Sequence, residues 1–403
     1  MKVKLMLYSI IICALSLSAC SKSKIGISPN LNVDESEIGL DFNLLEDKNS
    51  LDTKFYAEGG ILKDQDNNLL FKNRTWQGTP SIGMDKNKNL FVGWISGGEG
   101  EGTENYITVS LSKDNGTTWL HNKLVVYVNT LDTTRLKDVC FFNDKFGNLY
   151  MAWAKHVQKK ESKEWAVVWY SKLTLRGNTI NYTAPRPIAE GSMLNKPFYS
   201  EKRNKMYFPI AFWFWGNASI YAGQYDSLNT KNLVAFKNLG YIPIEKSIRN
   251  IHEHMLVELS DNTFLGMVRT NDGIYYSRSK DAHIWESASK FTGIGPTSAS
   301  RFCLRKLKSG RLILIANNNV VRRHLKIFLS EDDGKTWPYS LMLDFRFWST
   351  YPDLEEDVNG ELKITYDFER KPTGTIYYAT IKEADIIAGN SANLKKTIIN
   401  TLR

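Results

Sequence analysis

SEDDGKTW, residues 330–337, and SKDNGTTW, residues 112–119, are one turn written twice, more than two hundred residues apart. Each residue type has a reason to be there. The aspartate can accept hydrogen bonds from backbone N–H groups of the turn. The glycine takes a backbone conformation that side chains resist. Ser and Thr hydroxyls close further local bonds, and the Trp ring packs beneath a hairpin. Asp114 and Asp332 therefore read as turn staples, not as catalysts. A damaged copy, SKDAHIW at 279–285, keeps Ser279, Asp281 and Trp285 but is one residue short and has His283 where the glycine belongs. Ser279 and Ser330 are separated by about 50 residues, the length of one four-stranded propeller blade.

The rest of the chain past residue 60 agrees with that period. Short runs such as NLFVGWIS, NYITVSLS, NLYMAWAK, TFLGMVRT, RLILIANN and ELKITYDF are rich in β-branched and aromatic residues and bounded by Gly, Asn, Asp or Lys. DNTF, SGRL and NGEL recur ahead of strands, as hairpin turns would. KEADIIAG reads as one short helical turn, and no Pro/Ser-rich linker divides the body. The pattern predicts a single all-β domain over 56–403, a six-bladed β-propeller of four-stranded antiparallel blades. Trp76, Trp94, Trp153 and Trp213 are expected mainly in its core.

The chain has 403 residues, with 24% charged, 42% hydrophobic and 12% aromatic. The first two values are ordinary for a globular protein. Its net charge of +9 is spread out, with no basic block and no nucleic-acid motif, so nucleic acid is not an expected partner. No His/Cys spacing suggests zinc, and His252-Glu253-His254 is not a HExxH helix motif. Neither metal nor cofactor is expected. Cys140 and Cys303 lie in apolar runs, as a disulfide or as two buried thiols. MKVK followed by the apolar run Leu5 to Leu17 is too short to span a bilayer and reads as a signal-peptide core. Leu17-Ser18-Ala19-Cys20 resembles a bacterial lipobox, with acylation expected on Cys20. The competing reading is an ordinary secretory signal with a cysteine nearby. The expected layout is a signal peptide at 1–19, then a tether and N-terminal segment at 20–55. The protein would be a monomer on the bacterial cell envelope, facing the periplasm or the surface, with a lipid anchor as its contact with the membrane.

The boxes resemble the Asp-boxes of the sialidase (neuraminidase) superfamily. The likeness runs over about 70–390, through RTWQGTPSI, SMLNKPF, HEHMLVEL, SRFCLRKLKSGRLIL, RRHLKIFLSEDDGKTW and YPDLEEDVNGELKITYDFER, and points to a bacterial exo-sialidase-like branch. It implies a six-bladed propeller with the boxes on the outer rim, away from the active site. It also implies an exo-glycosidase that releases a terminal, acidic sugar from a glycan. Sialidases use a tyrosine nucleophile, a glutamate that activates it, an aspartate acid/base and three arginines on the substrate carboxylate. A phenol has a pKa of about 10, so a carboxylate must take its proton as it attacks. A tyrosine nucleophile departs from the two-carboxylate pattern of most glycosidases.

On this resemblance, Tyr351 stands at the nucleophile position and Glu253 at that of its activator. Arg269 and Arg322 stand as the second and third clamp arginines, with Arg323 one register away. The first clamp arginine, two residues before a proline, is here Gly78, and Arg74 lies outside that register. Losing one arm should weaken the selective contact that arginines make with a carboxylate. In place of the acid/base aspartate is the loop SGGEGEGTEN, where Glu101 is the candidate beside Glu99 and Glu104. Arg135, Asp138, Asn195, Lys196 and His254, and then Asp353 and Arg370 near Asp367, are expected to line the substrate pocket. Two alternatives remain. One is a polysaccharide lyase acting beside uronic acids through His254, Tyr351 and Arg269. The other is a non-catalytic glycan-binding propeller, since fold does not dictate activity.

Overall fold

Six antiparallel sheets follow one another along the chain, each built from a contiguous stretch. They are seen in a computed structural model that describes residues 61–62, 74–103, 105–127, 134–158, 164–212, 217–225 and 233–402. The signal segment, Cys20, the tether, Glu104 and Trp213 lie outside the described residues. Blade 1 runs from Trp76–Met84 through Leu90–Gly97 and Tyr106–Ser112 to Leu120–Val126, with Ile61–Leu62 added at its outer edge. Blade 2 starts at Thr134–Asn143, blade 3 at Phe198–Ser200, blade 4 at Met255–Glu258, blade 5 at Cys303–Lys306 and blade 6 at Ser349–Glu356. First strands of neighbouring blades touch: that of blade 1 meets those of blades 2 and 6, and that of blade 5 meets those of blades 4 and 6. The KEADIIAG segment forms the short helix Glu383–Ile387.

Blades pack face to face, so their inner strands are apolar on both sides. Leu90–Gly97 and Phe264–Thr270 are buried along their whole length. The core is accordingly a set of apolar layers between adjacent blades, including blade 6 against blade 1. Cys140 and Cys303 are buried free thiols within it.

The boxes join the third strand to the fourth in blades 1, 4 and 5. Ser112 Oγ donates to Asp114 Oδ1 (2.8 Å), and Asp114 accepts from Thr118 N (2.9 Å) and Thr118 Oγ1 (2.6 Å). These bonds, led by the Thr118 hydroxyl, hold the Asp114 carboxyl down at about 2. Asp332 repeats the same set with Ser330 and Thr336. Gly116 has φ of 83°, and a Cβ there would lie 2.2 Å from the Tyr378 ring of blade 6. In the shortened box Ala282 takes the left-handed conformation, φ 64°, and accepts from Trp285 Nε1 (3.0 Å).

At the axis the blades are joined by buried charge. The Asp353 carboxylate accepts from Ser81 Oγ (2.6 Å) and Ile82 N (2.9 Å) of blade 1. It pairs with Lys196 at 3.2 Å and Arg301 at 3.7 Å. Lys196 also pairs with Glu355 (2.9 Å) and donates to the carbonyls of Phe141 (2.7 Å) and Ile82. Arg301 donates to Asn195 Oδ1 (2.7 Å), Pro80 O (3.0 Å) and Leu194 O (3.0 Å), and Asn195 Nδ2 donates to His254 O (3.0 Å). Every blade contributes a group.

Breaking a buried ion pair on one side leaves an uncompensated charge and costs about 3–5 kcal/mol, whereas one turn hydrogen bond is worth about 1 kcal/mol. Lys196→Met is therefore expected to lower unfolding stability several times more than Asp332→Ala. Urea denaturation of the two variants checks the ranking, and equal losses would remove the axial charges from their structural role.

Candidate active site

Three first strands break register at the same depth. The breaks lie between Gly78 and Ser81, between Lys137 and Cys140, and between Thr350 and Asp353. Inside each break one residue has a positive φ: Thr79 (56°), Asp138 (58°) and Tyr351 (54°). Such bulges re-aim a side chain. Here the residue two positions on, Ser81 or Asp353, joins the axial charge network. Glu253 lies two residues ahead of the first strand of blade 4, and Arg269 lies near the end of that blade's second strand. Glu101, Arg322 and Arg370 lie on loops after the second strands of blades 1, 5 and 6. Starts of first strands and ends of second strands share one face of the ring.

On that face Tyr351 Oη donates to Glu253 Oε1 at 2.7 Å. Arg269 Nη1 donates to Tyr351 Oη (3.0 Å) and pairs with Glu253 Oε2 (2.7 Å). Two more guanidinium groups lie against the phenol ring, Arg370 at 4.1 Å and Arg322 at 5.7 Å from its centre. Burial first, and the Glu253 charge second, push the Tyr351 phenol up to about 12 against the pull of the arginines. Tyr351 is thus a neutral phenol at physiological pH, with a carboxylate already placed to take its proton.

Two further carboxyls differ in charge state. Burial pulls the Glu101 carboxyl up, but Lys137 (2.8 Å) and Arg370 (3.4 Å) outweigh it and hold the group below its ordinary value. Asp138 accepts from the Ser192 hydroxyl, with His156 Nε2 at 4.0 Å, and shares a small pocket with Glu253. Burial pushes its carboxyl up to about 7. A larger cavity, about 700 Å³, is lined by residues such as Lys202, Glu258 and Lys306 at or just past the opposite ends of the first strands, away from Tyr351.

The BNR repeat-like domain family matches residues 87–364. The chain belongs to that family. Its fold is also that of solved glycosidases. A Hadza microbial sialidase superposes with a TM-score of 0.59 at 16% identity, covering 77% of this chain and 66% of that one, so this chain spans just under two thirds of its length. NanB sialidase from Streptococcus pneumoniae gives 0.55 at 13% identity over 76% and 67%. An alpha-L-arabinofuranosidase from Fusarium graminearum gives 0.54 at 12% identity over 79% and 96%. No curated protein sequence matches significantly. The repeats read from the boxes hold, and this BNR repeat-like chain has the propeller fold of solved sialidases and arabinofuranosidases.

Within the BNR repeat-like domain the expected residues separate into groups. Tyr351, Glu253, Arg269, Arg322 and Arg370 come together around one phenol. Arg323 turns instead onto the Phe347 ring, 4.5 Å away, so Arg322 is the member of the pair that lies against Tyr351. Arg135 Nη1 donates to Glu101 O (3.0 Å) and so holds the acidic loop. Glu99 pairs with Lys371 at the surface. Lys196 and Asp353, 2% and 0% exposed, belong to the axial network and not to the small pocket beside Glu253, whereas Asn195, 1% exposed, lines that pocket while bonding to Arg301 and His254 O. His254 is also turned away. Its ring nitrogens face Ser219 O (2.7 Å) and His252 O (3.2 Å), and burial pushes it down to about 4. The lyase alternative needed that histidine at Tyr351.

Sequence reading missed two features. Arg301 opens the SRFCLRKLKSGRLIL stretch, but nothing in that stretch marks it as an axial ion. Trp348, 59% exposed with φ of 65°, stands at the mouth beside Phe347, held by Trp348 N to Arg322 O (2.7 Å) and Glu369 N to Trp348 O (3.2 Å). An aromatic pair directly ahead of the Tyr351 strand was the available signal.

Asp138 gives a pH test. Its folded value lies above the unfolded value of about 4, so folded protein holds a proton that the unfolded chain has released. That contribution favours folding at low pH and is lost as pH rises to about 7. Lys137, Glu101, Glu253 and His156 are the ionisable groups around it. Asp138→Asn is expected to raise the melting temperature relative to wild type near pH 8 and not near pH 4. Equal shifts at both would place the Asp138 carboxyl in its ordinary range.

Proposed function

We propose that the protein is a retaining exo-glycosidase of sialidase type, acting on a terminal acidic sugar of a glycan outside the cytoplasm. The observation that carries this reading is the Tyr351–Glu253 hydrogen bond of 2.7 Å, with Arg269 bound to both groups. A buried phenol bonded to a carboxylate is a nucleophile with its base in place. Tyr351 Oη attacks the anomeric carbon and Glu253 takes the phenolic proton. The bond to the leaving oxygen breaks, and that oxygen receives a proton. Water, losing a proton to the carboxylate that served as acid, then attacks the anomeric carbon; the bond to Tyr351 Oη breaks, Oη recovers its proton from Glu253, and the two inversions give net retention. Arg269 and Arg322 hold the acidic group of the sugar beside the phenol.

We assign the proton donor to Asp138. A general acid must be protonated at the working pH. Burial pushes Asp138, in the small pocket it shares with Glu253, toward the protonated form, while Lys137 and Arg370 favour the anion of Glu101. The lipobox-like Leu17-Ser18-Ala19-Cys20 would place the enzyme on the cell envelope, where such glycans are met.

Tyr351→Phe is expected to reduce turnover by at least about 10³-fold, as loss of a nucleophile does, with folding intact by circular dichroism. The assay is sugar release from a panel of sialosides and uronides. Full activity in this variant would sink the mechanism. An unsaturated, ultraviolet-absorbing product would mean elimination, and glycan binding without product would mean a binding propeller. Asp138→Asn is expected to lower kcat/KM by about 10²–10⁴-fold on natural glycosides. The loss should be far smaller on nitrophenyl glycosides, whose leaving group departs without a proton. A stronger leaving-group dependence in Glu101→Gln would move the role to Glu101.

A further inference from the structure

Gly78 and Arg370 occupy one space. A Cβ built on Gly78 would lie 2.8 Å from Cγ, Cδ and Nε of Arg370. That is closer than Cβ atoms approach other heavy atoms, and the contact is with the stem of the side chain rather than its free end. Arg370 comes from the loop after the second strand of blade 6, yet the loop is fastened to blade 1, because Gln77 N donates to Arg370 O (3.2 Å). Its Nε donates to Asp367 Oδ2 (2.8 Å), and the same oxygen accepts from Thr79 N (2.8 Å). Thr350 Oγ1 donates to the other Asp367 oxygen. Asp367 is fully buried, so Arg370 leaves a fixed root and crosses bare backbone at Gly78. Its guanidinium ends over the Tyr351 ring and within 5.6 Å of the Trp76 ring centre.

What the guanidinium does there follows from its unused donors. Nη1 reaches Glu101 at 3.4 Å, and Nη2 is buried with no hydrogen-bond partner among the described residues. Arg269 Nε is in the same condition. Arg322 completes the group, with Nη2 donating to Ala299 O (3.2 Å). Three cations around one phenol, two of them with buried unpaired N–H groups, call for an anionic acceptor. A planar carboxylate matches the fork of an arginine.

We propose that Arg370 is the third arm of a carboxylate clamp, entering from blade 6 through the space that Gly78 leaves open on blade 1. Position 78 is glycine because the arm crosses it. This deepens the proposed function and rests on it, in that the ligand is the carboxylate of an acidic sugar. The clamp is complete despite the missing blade 1 arginine, and the site keeps its preference for acids over neutral sugars.

Binding tests this without turnover. The probes are 2-deoxy-2,3-dehydro-N-acetylneuraminic acid and its neutral methyl ester, titrated by calorimetry into the intact protein. Wild type is expected to bind the acid more tightly. Arg370→Ala is expected to weaken the acid by about 10- to 100-fold and leave the ester within a few-fold, the range of a lost charged hydrogen bond. Arg370→Lys, which keeps the cation near Asp367, should recover only part of the loss. Gly78→Arg alone should lose acid binding, and Gly78→Arg with Arg370→Gly should regain it. A wild type indifferent to the ester would overturn the acidic-sugar reading itself. A wild type that prefers the acid, with Arg370→Ala and Arg370→Lys unchanged, would overturn only the role of Arg370. Failure of the double variant to regain binding over the single one would overturn the shared-space argument.

Discussion

The Asp353 carboxylate is the point on which the ring depends. Six sheets packed face to face through apolar layers have no strong preference for how far each slides along the axis. Dispersion and hydrophobic burial are largely non-directional. Asp353, Lys196 and Arg301 supply the missing direction. They are buried ions, costly to desolvate and tolerable only when fully matched. Their matching groups are a hydroxyl and backbone of blade 1, carbonyls of blades 1 and 2, the segment entering blade 3, and the strands of blades 5 and 6. A sheet out of register leaves a charge unpaired at zero exposure. The axial network therefore sets the position of each blade, and with it the position of every residue at the mouth.

Mouth and network are linked by the shared bulge. In blades 1 and 6 the strand gives one residue at positive φ and, two residues later, a side chain in the network: Thr79 then Ser81, Tyr351 then Asp353. Bulges kink a strand and strengthen its twist, so the first residue faces the site while the second stays on the axis. The strain of a tyrosine at φ 54° is tolerated because the flanking Thr350 and Asp353 are fastened to Asp367, Ser81 and Lys196. Precise placement of the phenol against Glu253 is thus inherited from the same contacts that hold the ring together.

That coupling explains what could be read in advance. The boxes depend on residues within eight positions of each other, so their spacing gave blade length and fold directly. Glu253, Arg269, Arg322 and Tyr351 each sit at a fixed distance from a strand or a box, and family resemblance carried them to one place. Lys196 and Asp353 read as pocket residues because polar residues in apolar surroundings look alike whether they face a ligand or an ion pair. Only the partners decide, and those lie on other blades. Arg301 lies in a stretch the resemblance covers, yet its role was not local, since its acceptors are the carbonyls of Pro80 and Leu194. The ionised state of Glu101 was hidden for the same reason: Lys137 and Arg370 belong to different blades.

The Gly78–Arg370 contact also constrains how the protein can change. A side chain at position 78 is admitted only after the arm at 370 has shortened, and shortening the arm alone removes a cation from above Tyr351. Each single step passes through a site poorer than either end. Drift at one position is blocked by the other, although the two residues sit at opposite ends of the folded domain in sequence.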